Sequence, residues 1–135
     1  ANCLCEIEEE VKRAIEEVDQ PPEKLRRMFK EIIQASFRLF SQDRKLYEIA
    51  ASAAAERWQA TIIYEQNIKT LLQGILTEGR QTGDFERKTP LDELTMAIIL
   101  VMRPYIHPLM LQHSFDYIEE APGRLSSLVL RSLAP

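Results

Sequence analysis

The nine residues from Leu94 to Met102 are the least polar stretch of this chain, and they constrain its fold most. As a helix, Leu94, Met96, Ala97, Ile98, Ile99, Leu100, Val101 and Met102 leave almost no polar side. A helix apolar nearly all round must be covered on more than one side. The run stops at Arg103, far short of the ~20 apolar residues that cross a bilayer, so its cover has to be protein. Thr89-Pro90-Leu91-Asp92 marks its start. Thr89 can accept from the amide three residues on, Pro90 fits the first helical position, and Asp92 approximates a capping-box acid. Asp92 and Glu93 also suit the positive end of the dipole. Pro104 and Pro108 fall inside the 89–113 segment, and each deletes an i→i−4 hydrogen bond, so a bend is expected.

The remaining segments read as helices too. Leu4, Ile7, Val11, Ile15 and Val18 recur at steps of three and four, with Glu6, Glu8, Glu9, Glu10, Lys12, Arg13, Glu16 and Glu17 opposite them. Pro21 and Pro22 end that helix near Asp19 and suit the first turn of the next. Leu25, Met28, Phe29, Ile32, Ile33, Phe37 and Phe40 then form a face wider than one neighbour requires. Ser41 or Asp43 is the expected N-cap of the third helical segment, and Leu46, Ile49, Ala50 and Ala53 to Ala55 permit close packing. Trp58, Ile62, Ile68, Leu72, Ile75 and Leu76 run down one side of the next stretch. The pattern over 43–81 fits one bent helix or two. Gly83 is suited to a left-handed helix end, with Phe85 placed to fold back on the last turn. Pro122 opens a last helix striped by Leu125, Leu128 and Val129. No alternating β-pattern occurs, and no linker or repeat divides the chain. The expectation is an all-α domain of six or seven helices over 1–135.

The 135 residues suffice for a core without disulfides or metal. A net charge of −4 disfavours phosphate binding by the chain itself. The first residues lack the basic and apolar regions of a signal peptide, so the cytoplasm is the expected compartment, with no membrane partner. Cys3 and Cys5 are about 200° apart on a helix and cannot chelate together. His107 and His113 lack the His-Glu-x-x-His spacing. No P-loop and no nucleophile elbow is present. The expectation is no metal, no cofactor, no catalytic residue and no enzyme.

Arg103 sits in the least polar helix, and a buried guanidinium must be paired. Its partner is either an acid of a neighbouring helix, such as Glu65, or an anionic ligand held in a bidentate grip. Met28, Phe29, Phe37, Phe40, Trp58 and Met96 are likewise either core or the wall of an apolar cavity.

The order of these signals resembles one family. Leu71-Leu72-x-x-Ile75-Leu76-x-Glu78-Gly79-x-x-x-Gly83-Asp84-Phe85 closes a long helix, followed by a polar loop, a Thr-Pro-capped apolar helix and a short last helix. This is similar to the regulatory domain of TetR-type transcriptional repressors, with Asp84 where Glu is commoner. The Pro21-Pro22-Glu23-Lys24-Leu25 opening and the acidic helix before it also fit. The likeness covers essentially the whole chain. It places residue 1 near the start of the family's fourth helix, so the helix-turn-helix head is expected to be absent and DNA to be reached only through that head.

The resemblance implies an effector-binding and dimerisation domain. It implies a homodimer built as a four-helix bundle of the last two helices of each copy, with Ile106, Leu109, Met110, His113, Leu125, Leu128, Val129 and Ser132 as contacts. It implies a small, largely apolar effector among Phe29, Ile33, Phe37, Phe40, Trp58, Ile62, Glu65, Met96, Leu100, Arg103 and His107. The competing readings are a helical interaction module without a ligand and a small α-helical enzyme.

Overall fold

The structure, a computed structural model, describes residues 2–42, 54–106, 108–111 and 115–135. Five helices account for most of them: α1 (Asn2–Glu16), α2 (Pro21–Gln42), α3 (Ala54–Thr82), α4 (Leu91–Ile106) and α5 (Ala121–Ser132). A single helical turn, Pro108–Leu111, and a 3-10 turn, Phe115–Tyr117, connect the last two. There is no strand among the described residues. The described residues thus hold five helices and two short turns, and the third helical segment expected from Ser41 or Asp43 onward falls largely outside them.

The wide apolar face of α2 has a simple cause. This helix touches α1, α3, α4, the 108–111 turn and α5. Leu25, Met28, Phe29 and Ile32 are fully enclosed in the main core, with Ile68, Leu72 and Leu76 of α3, Ile99 of α4 and Leu133 beyond α5. Ile7 and Val11 of α1 close one side of that core. A second, smaller cluster joins Ile33 to Leu111, Ile118 and Ala121, with Phe37, Tyr105 and Leu125 packed against it.

Several local expectations are corrected. Ser41 lies inside α2; Asp43, Leu46, Ile49 and Ala50 lie outside the described residues, as does the question of one helix or two between 43 and 53. The hydroxyl of Thr89 donates to the Glu86 carboxylate, and the first bond of α4 runs from the Leu94 amide to the Pro90 carbonyl at 3.0 Å. The flank of α4 is therefore Pro90, one residue later than predicted. The helix expected to run to 113 ends at Ile106, and a new turn begins at Pro108. Pro108 has no amide to continue the ladder. Pro104, by contrast, stays inside α4. The carbonyl it leaves unbonded is that of Leu100, which lies on an exposed side where water can satisfy it.

Candidate functional site

The glycine-bearing stretch that ends α3 is built as a clasp. The Lys24 ammonium donates to the Glu78 carboxylate at 2.9 Å and ties α2 to α3. Gly79 leaves room for the buried Phe85 ring, and the Phe85 amide donates to the Gly79 carbonyl at 3.0 Å. Gly83 takes a left-handed φ of 81°, open to glycine without strain. Asp84 accepts from the Thr82 hydroxyl at 2.6 Å. Beyond the turn, the Glu86 amide donates to the Leu133 carbonyl at 2.8 Å, docking the loop on the end of α5. The Glu86 carboxylate takes the Thr89 hydroxyl and the Lys88 and Thr89 amides, with Arg80 nearby. Bonds from the Thr89 side chain and then its amide hold the Glu86 carboxyl below its ordinary range. Glu78, Gly79, Gly83, Asp84 and Phe85 thus all have a folding role.

The three helices expected to enclose a ligand do converge, since α2, α3 and α4 all touch one another. Their predicted lining residues divide. Phe29 is fully buried in the main core, and Met96 packs against that core half-buried. Ile33 and Phe37 belong to the second cluster. Ile62 is 39% exposed and Leu100 is 52% exposed, so both point outward in the single chain. The side chains of Phe40, Trp58 and His107 lie outside what the structure describes.

Glu65 and Arg103 meet directly. The Arg103 Nε donates to Glu65 Oε1 at 2.8 Å, each side chain about a third exposed. Of the two partners the sequence left open for Arg103, the neighbouring acid is present. The pairing joins α3 to α4 at the edge of the core.

The inward face of α3 keeps Ile68, Leu72, Ile75 and Leu76 of the expected stripe and departs from it at Ile62. Thr61, Tyr64, Ile68, Leu72 and Ile75 are buried, while Ile62 and Ile63 are exposed. Tyr64 was missed by sequence reasoning. Counting back from Ile75 through Leu72 and Ile68 in steps of three and four arrives at Tyr64 and Thr61, and that signal could have found them. The Tyr64 hydroxyl is buried without a completed hydrogen bond. Burial first, and then the charge of Glu8, push its ionisation well above the ordinary tyrosine range, while the Ser36 hydroxyl beside it opposes them.

The expected dimer contacts also divide. Ile106 and Val129 lie in the chain's own core and are unavailable to a partner. Leu125 is half-buried against both clusters. Met110 is 42% exposed, Leu128 is 57% exposed, and Ser132 is exposed while its hydroxyl donates to the Val129 carbonyl at 2.6 Å. The side chains of Leu109 and His113 lie outside what is described. Among the described residues, no group of three or more His, Cys, Asp and Glu is placed to hold a metal, and no helix is long and apolar enough to cross a membrane.

A family model described as the tetracyclin repressor-like C-terminal domain matches residues 21–125. Comparison with curated proteins and with solved structures finds no match.

Proposed function

The chain belongs to the family of tetracyclin repressor-like C-terminal domains, a family of regulatory domains rather than enzymes, and from that premise we propose that it senses a small, largely apolar effector and pairs with a second copy of itself. The reading makes it the regulatory part of a TetR-type transcriptional repressor acting in the cytoplasm, reaching DNA only through a separate helix-turn-helix head. The observation that carries the effector half is the convergence of α2, α3 and α4 on an apolar interior, cross-braced at its edge by Arg103 and Glu65. An effector lodged there favours one setting of α3 against α1 and α2, and a regulator responds through that shift in population.

The dimer half rests on what one chain leaves uncovered. Leu100 on α4, Met110 on the 108–111 turn and Leu128 on α5 are large apolar side chains open to solvent. They replace Ile106 and Val129 as the proposed contacts, with Leu125 and Ser132 at the margin. An isologous pairing needs one patch to meet its own copy. Light scattering on a size-exclusion column is expected to give twice the mass of one chain at micromolar concentration. Leu100→Glu with Leu128→Glu is expected to give one-chain mass, and a wild-type monomer overturns the pairing.

A thermal-shift screen tests the effector. Ligand at about 100 times its Kd stabilises by roughly 2.7 kcal/mol. The second reading, an interaction module with no ligand, is favoured by the complete enclosure of Phe29 and Ile33 within the chain's own side chains. A broad library of apolar compounds that moves the midpoint nowhere decides for it.

A further inference from the structure

Buried polar groups are almost always hydrogen-bonded, and each exception needs a reason. Among the described residues only two buried side-chain atoms lack a partner, the Tyr64 hydroxyl and Arg80 Nε. The Arg80 guanidinium is already used elsewhere, bonding the Thr89 carbonyl and facing Glu86. At Tyr64, Ser36 faces the phenol oxygen in the sense of a donor, and the phenol's own proton has no acceptor among the described residues. Tyr64 is 2% exposed, in the core with Phe29, Ile32, Ile68 and Leu72, where phenylalanine would fill the same space without an orphaned hydroxyl. Leaving such a group unsatisfied costs the desolvation of the hydroxyl with no bond to offset it.

The surroundings are locally polar. Ser36 of α2 is buried beside the hydroxyl, Thr61 is buried one turn earlier on α3, and the carboxylate of Glu8 on α1 is close enough for its charge to be felt. The polar spot therefore lies where α1, α2 and α3 meet, inside an otherwise apolar interior. We propose that the Tyr64 hydroxyl is the hydrogen-bonding anchor of the effector, donating to one neutral acceptor, such as a ketone, ester or amide oxygen, on an otherwise apolar molecule. This rests on the reading that the domain binds a small molecule. The phenol donates because it stays protonated. The negative charge of Glu8, offset only in part by the Lys12 ammonium 3.7 Å away, disfavours an anionic acceptor at the same place. Because Glu8 belongs to α1, the anchored group sits against that helix as well as α3.

The test uses the whole chain, wild type and Tyr64→Phe, with neutral aromatic ketones, their hydrocarbon counterparts and the matching carboxylates. The set includes 2-acetylnaphthalene, 2-ethylnaphthalene and 2-naphthoate. Wild type is expected to bind ketones about tenfold more tightly than hydrocarbons and to bind carboxylates most weakly. Tyr64→Phe is expected to erase the ketone preference while keeping the hydrocarbon affinity, and to melt no lower than wild type without ligand. A ketone preference that survives in Tyr64→Phe, or carboxylates that bind best, overturns the anchor and leaves the effector reading intact. A lower melting point for unliganded Tyr64→Phe shows that the hydroxyl already has a protein partner and also overturns the anchor. No binding by any member of the set to wild type, alongside hits from a broad apolar library, overturns the anchor alone. No binding in either overturns both.

Discussion

The ring of Phe85 occupies the space that a side chain at Gly79 would need. A β-carbon on Gly79 would overlap the ring at Cδ2, Cε2 and Cγ. The contact folds the chain back on the last turn of α3 as it leaves the helix, and Phe85 is buried by it.

Gly79→Ala is therefore expected to destabilise, although alanine favours helices. The overlap with a buried ring costs about 1–3 kcal/mol, against roughly 1 kcal/mol gained in helix propensity. Gly74, on the same helix with nothing within 4 Å of an added β-carbon, is the control. Gly74→Ala is expected to stabilise by about 0.5–1 kcal/mol. Urea midpoints of the two variants moving in the same direction would refute the contact.

The Arg103–Glu65 pair is expected to be worth about 1 kcal/mol. Pairs open to water measure about 0.2–1 kcal/mol, and this one is about two thirds shielded with a hydrogen bond of 2.8 Å. A double-mutant cycle with Glu65→Gln and Arg103→Met reads the coupling directly. Zero coupling would mean the pair does not brace α3 against α4.

Stability is expected to carry a signature of Glu86 at acid pH. Its carboxyl is held below the ordinary range in the fold, chiefly by the Thr89 hydroxyl and amide. A lowered folded value contributes stability above the ordinary glutamate range and loses it as pH falls through the folded value. The difference in unfolding midpoint between wild type and Glu86→Gln is therefore expected to shrink as pH drops from 7 to 3. A difference that stays constant or grows contradicts the assignment.

The azimuth of α3 is testable by a pair of substitutions. Ile68→Ala removes a fully enclosed side chain and is expected to cost about 2–5 kcal/mol. Ile62→Gln changes an exposed one and is expected to stay within about 0.5 kcal/mol. A large loss at Ile62 would mean that this side chain is covered too, as the sequence stripe expected.

Much of the fold was legible in residue order. The apolar stripe of α1, the two prolines opening α2, the left-handed Gly83 and the return of Phe85 are local events, each dictated by backbone sterics or by a helical period. The candidate site was legible only in part. Arg103 demanded a partner, and Glu65 was within the set of acids that could supply it. On α3 and α4 the structure leaves Ile62 and Leu100 exposed, because both helices carry apolar side chains on several sides and the neighbouring helices decide which of them are covered. Tyr64 and Thr61 continue the helical step of Ile68 and Leu72, but they are less apolar than the exposed Ile62 and Ile63, so hydrophobicity read residue by residue points the other way there.

Sequence by itself determined that this chain forms helices, roughly where they begin and end, and which family they compose, because capping, proline geometry and hydrophobic period act over a few residues. Tertiary structure decided how each helix is rotated about its axis, and so which apolar side chains are enclosed in the core and which are left exposed. That rotation is set by the total area the packed set can bury and by pairings such as Lys24 with Glu78, 54 positions apart, which no local pattern encodes.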